Sequence, residues 1–186
     1  MINSIQLAKA IVGRANDKGI KIDQLKLQKL AYYCQGHALA LTGELLFDEK
    51  IEAWDYGPVV PAIYHEFKAF GAFPIPVDTS SEKIELGLLP SKILDFVIDK
   101  FGQCGSWSLV QKTHQESPWM VHYNPASGAD SLEITRTELL DFFAKEAEQL
   151  QDSVFASILD ANNQPVVELP STINSADDFY NWLQDA

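Results

Sequence analysis

Cations run out before the chain does. From Glu146 to Ala186 there are eight acidic residues (Glu146, Glu148, Asp152, Asp160, Glu168, Asp177, Asp178 and Asp185) and no lysine or arginine. Residues 1–71 balance 8 Lys+Arg against 8 Asp+Glu, whereas residues 72–186 hold 6 against 18 and so carry the whole net charge of −12. Such a surface repels phosphate backbones, because nucleic-acid affinity comes largely from cationic contacts. Nucleic acid is therefore not an expected partner, and a basic protein fits better. Acids that merely keep a helical surface soluble account for the same composition.

Other absences narrow the class further. There are only two cysteines, Cys34 and Cys104, far apart and in no metal-type pair. A buried free thiol in a reducing cytoplasm is expected over a disulfide. No apolar run approaches the roughly 18 residues a membrane span needs. The N-terminal MINSIQLAKAIVGRAND has no basic flank ahead of its apolar part, and its apolar residues are helically spaced, so a secretory signal is not expected. The cytoplasm is the expected compartment. The chain has no Gly-x-Ser-x-Gly elbow, phosphate-binding glycine loop or Cys-x-x-Cys, and it has no internal repeat. No catalytic residue, cofactor or metal site is expected.

What is present is helical. At 186 residues with 46% hydrophobic content, the chain suits one compact, mainly α domain with a few short strands, plus an appendage. Ser4 is expected to cap a first helix carrying Ile5, Ala8, Ile11, Val12 and Ala15. Asp23 caps a second, with apolar positions 27, 30, 31, 34, 38 and 41, ended by Thr42-Gly43. Gly36 lies opposite that stripe, between Tyr32 and Tyr33, and a mid-helix glycine suggests another backbone packing close. This helix reads as central. Residues 45–54 read as extended, with Phe47, Ile51 and Ala53 inward. Pro61 opens a third helix that Gly71 closes. Pro90 opens a fourth, and Ser106 caps a fifth running to about Glu116, where Pro118 must end it. The run NPASGAD is a loop, and Leu132-Glu133-Ile134 a short strand. Thr135 to Glu138 has capping-box spacing ahead of apolar positions 139, 143, 147, 150, 154 and 158, which read as one long helix or as two broken near Asp152-Ser153. Residues 146–186 read as a small acidic α/β extension. Val154, Ile158, Phe179 and Trp182 within it need cover, from the domain or from a second copy.

Two motifs stand out. The run LKLQKLAYYCQGHALA followed by GELLFDEKIEAWDYGPVVPAIY spans residues 25–64, and Thr113-His114-Gln115-Glu116-Ser117-Pro118-Trp119 lies further on. Both resemble the Panacea domain of SocA-like antitoxins and phage-associated proteins, the second as a Thr-His-x-Glu-x-Pro-Trp motif. The resemblance covers roughly residues 4–145, read as one domain (1–145), and leaves 146–186 unmatched. It implies no enzyme, but a binding domain that neutralises a cognate protein toxin by direct contact. The family pairs one domain with many unrelated toxins, so the partner is not named by it. A proteolytic adaptor handing the toxin to a protease is the alternative that the SocA-like branch suggests.

Candidate partner-binding residues are Tyr32, Trp54, Tyr56, Gly57, Pro58, His114, Glu116 and Trp119. A Gly-Pro turn fixes the backbone where two aromatics can be presented, and aromatics dominate interface hot spots. Trp54 and Tyr56 plugging a helix junction is the competing reading. A metal-dependent hydrolase using His114 and Glu116 is disfavoured. Two histidines at i, i+4 are needed and position 118 is proline, while residues two apart on a helix point about 200° from each other. His37, His65 and His122 are scattered. A DNA-binding autorepressor is disfavoured by charge, with only Lys18, Lys21, Lys26 and Lys29 to serve it.

Overall fold

The computed structural model describes residues 2–77, 84, 86–123 and 132–149. Its elements run α1 (Ser4–Asp17), α2 (Gln24–Thr42), β1 (Ile51–Trp54), β2 (Gly57–Val59), α3 (Pro61–Phe67), a 3-10 turn (Lys68–Phe70), α4 (Leu88–Phe101), α5 (Ser106–Thr113), α6 (Ser117–Met120), β3 (Glu133–Ile134) and α7 (Arg136–Gln149). The fold is mainly α, with one small antiparallel sheet of order β2-β1-β3. Register is set by Ala53 opposite Pro58, Trp54 opposite Gly57, and Ile51 opposite Ile134. Pro58 lacks a backbone donor, which an edge strand such as β2 tolerates.

Helix α2 is the axis. From Lys26 to Leu39 every residue is buried, polar ones included, and α1, α4, α5 and α7 all pack on it. Its polar side chains serve neighbouring backbone. Gln35 donates to the Phe47 carbonyl at 2.7 Å and accepts from Leu46 N–H at 2.9 Å, which fixes the chain leaving α2. Lys26 donates to the Gly102 carbonyl at 3.1 Å. Asp23 caps the helix through Lys26 N–H, and Gly43 closes it in the left-handed region at φ 71°, where glycine alone escapes a steric cost.

Several local expectations change. Asn3, not Ser4, caps α1, and it does so in a reciprocal box with Gln6; Ser4 is instead buried, its N–H and hydroxyl both donating to Glu49 at 2.9 and 2.7 Å. Ser106 does not cap α5; Gly105 precedes the helix, and the Ser106 hydroxyl turns to Asp23. Helix α4 begins at Leu88, two residues before Pro90. Helix α5 stops at Thr113, and Pro118 sits in the first turn of α6 rather than ending α5. Gly36 faces a ring, not a backbone: Phe143 of α7 occupies the space a β-carbon would take. Thr135 and Glu138 do form the box that starts α7, with Glu138 accepting from Thr135 N–H at 2.8 Å. The boundary expected after Lys145 falls inside α7. The NPASGAD loop and residues 150–186 of the expected α/β extension lie outside the described residues.

Candidate partner-binding site

The two motifs distant in sequence meet at the hairpin joining β1 to β2. Its backbone is clamped by side chains from three sides. Trp119 Nε1 donates to the Trp54 carbonyl at 2.8 Å. The His114 ring is hydrogen-bonded to the backbone of Asp55. Lys29 Nζ donates to the Pro58 carbonyl at 2.8 Å, and Val60 N–H donates to Gln28 Oε1 at the same distance. The local sequence makes this possible. Glu116 ends the α5–α6 link in an extended conformation and Pro118 starts α6. His114, Trp119 and Tyr123 then stack, with His114–Trp119 centroids 3.9 Å apart and Trp119–Tyr123 4.3 Å.

Gly57 is required at the centre. Its φ is +95°, and an added β-carbon would lie 2.6 Å from Thr113 Oγ1 and 3.0 Å from Lys29 Cε. Any other residue there meets backbone strain and a clash together. Beneath the turn lies a buried polar centre. Glu116 Oε1 accepts from the Tyr33 hydroxyl and from Lys112 Nζ, both at 2.9 Å. Burial raises the Glu116 carboxyl above the usual range, while Lys112 and Tyr33 pull it back. Burial lowers Lys29 to about 7, against the attraction of Glu116. The His114 imidazole is also lowered, by burial and by the nearby Lys29 charge. Tyr33 stacks on Phe101 at 4.2 Å, closing the centre from the α4 side.

The eight expected partner contacts therefore separate into a display and its support. Tyr56 is 56% exposed. Trp54 is half-buried, its indole donating to Glu52 at 2.8 Å and its ring edge-on to Tyr64. His114 is half-buried within the stack. Gly57, Pro58, Glu116 and Trp119 are buried and hold the turn from behind. Tyr32 is fully buried against Tyr33 and Phe143, on the α7 side of α2, so it is not presented to a partner in this conformation. His114 and Glu116 do not share a helix, so the angle expected between them does not apply. What separates them is the turn of the link: one side chain faces Asp55 and Trp119, the other Tyr33 and Lys112. Among the described residues no three His, Cys, Asp or Glu groups are gathered as metal ligands.

Trp107 was not anticipated. It is 63% exposed and meets Tyr56 edge-to-face at 5.5 Å. Its signal in the sequence is its place off the inward stripe of α5, which is Leu109, Val110 and Thr113. Ser108 and Gln111, also outward on α5, carry no charge.

The site is a hairpin held by donors from α2, the α5–α6 link and α6, with an exposed aromatic pair on its outer side. The family described as antitoxin SocA-like, Panacea domain, matches residues 27–120, half of the chain and every clamping residue named above, and the chain belongs to that family. A similar protein is the Antitoxin SocA of Caulobacter vibrioides (strain NA1000 / CB15N), 36% identical over 70 residues that make up 38% of this chain and 37% of the relative. The match thus spans little more than a third of that relative's own length. No solved structure matches. No helix among the described residues is long and apolar enough to cross a membrane.

Proposed function

We propose that this protein is an antitoxin that neutralises a partner toxin by direct, non-catalytic contact, and that Tyr56 and Trp107 anchor the complex. The observation that carries this reading is the exposed Tyr56–Trp107 pair, mounted on a hairpin whose backbone is fixed by Trp119, His114 and Lys29. A fixed display loses little conformational entropy on binding, which leaves more of the contact energy as affinity. The buried motif residues act by positioning: Gly57, Pro58, Glu116 and Trp119 hold the hairpin from behind. Antitoxin family membership and the Caulobacter relative support the class of partner. The acidic residues from Glu146 onward favour a toxin with basic surface.

The test is co-expression with the product of the neighbouring gene, scored by growth, together with binding by calorimetry. Tyr56→Ala and Trp107→Ala should each weaken binding by about 2 kcal/mol, or roughly thirtyfold in Kd. Their melting should stay close to wild type, because both side chains are exposed. Neutralisation and affinity unchanged in the double variant would place the contact elsewhere.

A further inference from the structure

Lys29 is fully buried, and the hairpin is its cover. The position of a Gly57 β-carbon lies 3.1 Å from Lys29 Nζ, so the backbone of the turn rests on the amine, and the Pro58 carbonyl accepts its hydrogen bond at 2.8 Å. The charged and titratable groups around it come from each packed element. Glu116 and His114 belong to the α5–α6 link and Lys112 to α5. Tyr32 and Tyr33 are on α2 itself, Glu146 of α7 acts on those two hydroxyls, and Asp55 lies in the turn. Glu116 and the Pro58 carbonyl favour the ammonium. Lifting the turn would remove the Gly57 and Pro58 backbone from the amine.

We propose that the aromatic turn is opened by proton uptake at Lys29, so that acidification favours a lifted turn and alkalinity the closed turn that displays Tyr56. The opening itself concerns the free protein; its consequence for toxin capture rests on the function proposed above. The thermodynamics follow from hydration. In the closed state burial holds Lys29 near 7, whereas its ordinary value is 10.5. Between those values the open turn binds more protons than the closed one, so closure strengthens as pH rises. Below about 7 both states are protonated and the dependence ends.

Amide exchange on the free full-length protein tests this. Val60, which follows β2 and caps α3, donates its N–H to Gln28 of α2, a bond that parts if the hairpin lifts from α2. Its protection factor, already corrected for base catalysis, should rise by roughly one to two orders of magnitude between pH 7 and 9, because the closed state's Lys29 sits at about 7 and the open one's at 10.5. The Lys29 ε-carbon resonance in the same samples should titrate near 7, and Lys29→Met should leave Val60 protection flat over that range. A Lys29 midpoint near its ordinary value, flat protection in the wild type, or an undiminished slope in Lys29→Met would each overturn the proposal. If Lys29→Met fails to fold, the wild-type titration and protection decide alone. Because no toxin is present, failure here leaves the antitoxin reading standing. Conversely, a pH-opened turn whose Tyr56→Ala variant binds toxin normally would refute only that reading.

Discussion

Gly36 offers a sharp perturbation, because its substitution should change sign with its neighbour. In an exposed helix, alanine in place of glycine gains about 1 kcal/mol. Here a β-carbon at residue 36 would fall 2.1 Å from Phe143 Cε2 and 2.2 Å from Cδ2. Phe143 is 1% exposed and packs edge-on against Tyr32 and His37 at 5.3 and 4.9 Å. It cannot retreat without leaving that cluster, and emptying a buried phenylalanine site costs about 3–5 kcal/mol. Gly36→Ala should therefore destabilise the protein by about 2–4 kcal/mol, the loss of Phe143 packing less the helix gain. In a Phe143→Ala background the obstacle is gone, and the same substitution should stabilise by up to about 1 kcal/mol. Urea unfolding of the four proteins measures both values and their coupling. An equal cost in the two backgrounds, or a stabilised Gly36→Ala single variant, would refute the role given to the ring.

Two further outcomes are expected. Leu30 is fully buried on α2, so Leu30→Ala should cost about 2–5 kcal/mol and lower soluble yield; unchanged melting would mean that α2 is not the core axis. Glu138 is pushed up by burial, but bonds from His122 and Thr135 outweigh this and hold its carboxyl below the ordinary value. A lowered folded value contributes stability that is present above the unfolded pKa and lost as pH falls through the folded one. Melting of the wild type should thus fall more steeply from about pH 5 to 3 than that of Glu138→Gln, and parallel slopes would show that the His122–Glu138 contact contributes nothing.

The sequence by itself determined what local chemistry controls. Asp23 and Gly43 bound α2, Gly71 closes the 3-10 turn after α3, and Thr135 with Glu138 starts α7, because each satisfies backbone groups within three or four residues of itself, while Pro61 opens α3 because it has no N–H to leave unpaired. The inward face of α4 and the apolar stripe of α2 were legible for the same reason: a helical period requires no knowledge of the partner element. The glycine of the Trp-x-Tyr-Gly-Pro run permits the positive φ of 95° that the turn adopts.

Only the tertiary structure decided what lies behind each surface. Tyr32 and Tyr56 look alike in sequence, yet α7 buries one and the β1–β2 turn exposes the other. The motif from Thr113 to Trp119 reads as one helix broken by proline, but its bonds to Trp54 and Asp55 reward an extended link there. Gly36 signals close approach, while the approaching group, a ring more than a hundred residues away, leaves no local mark. Lys29 reads as a surface cation on a helix, since nothing within a few residues reveals that Gly57 will close over it. Local rules fix where backbone hydrogen bonds begin and end, but burial is set by which elements meet, and that is a property of the whole chain.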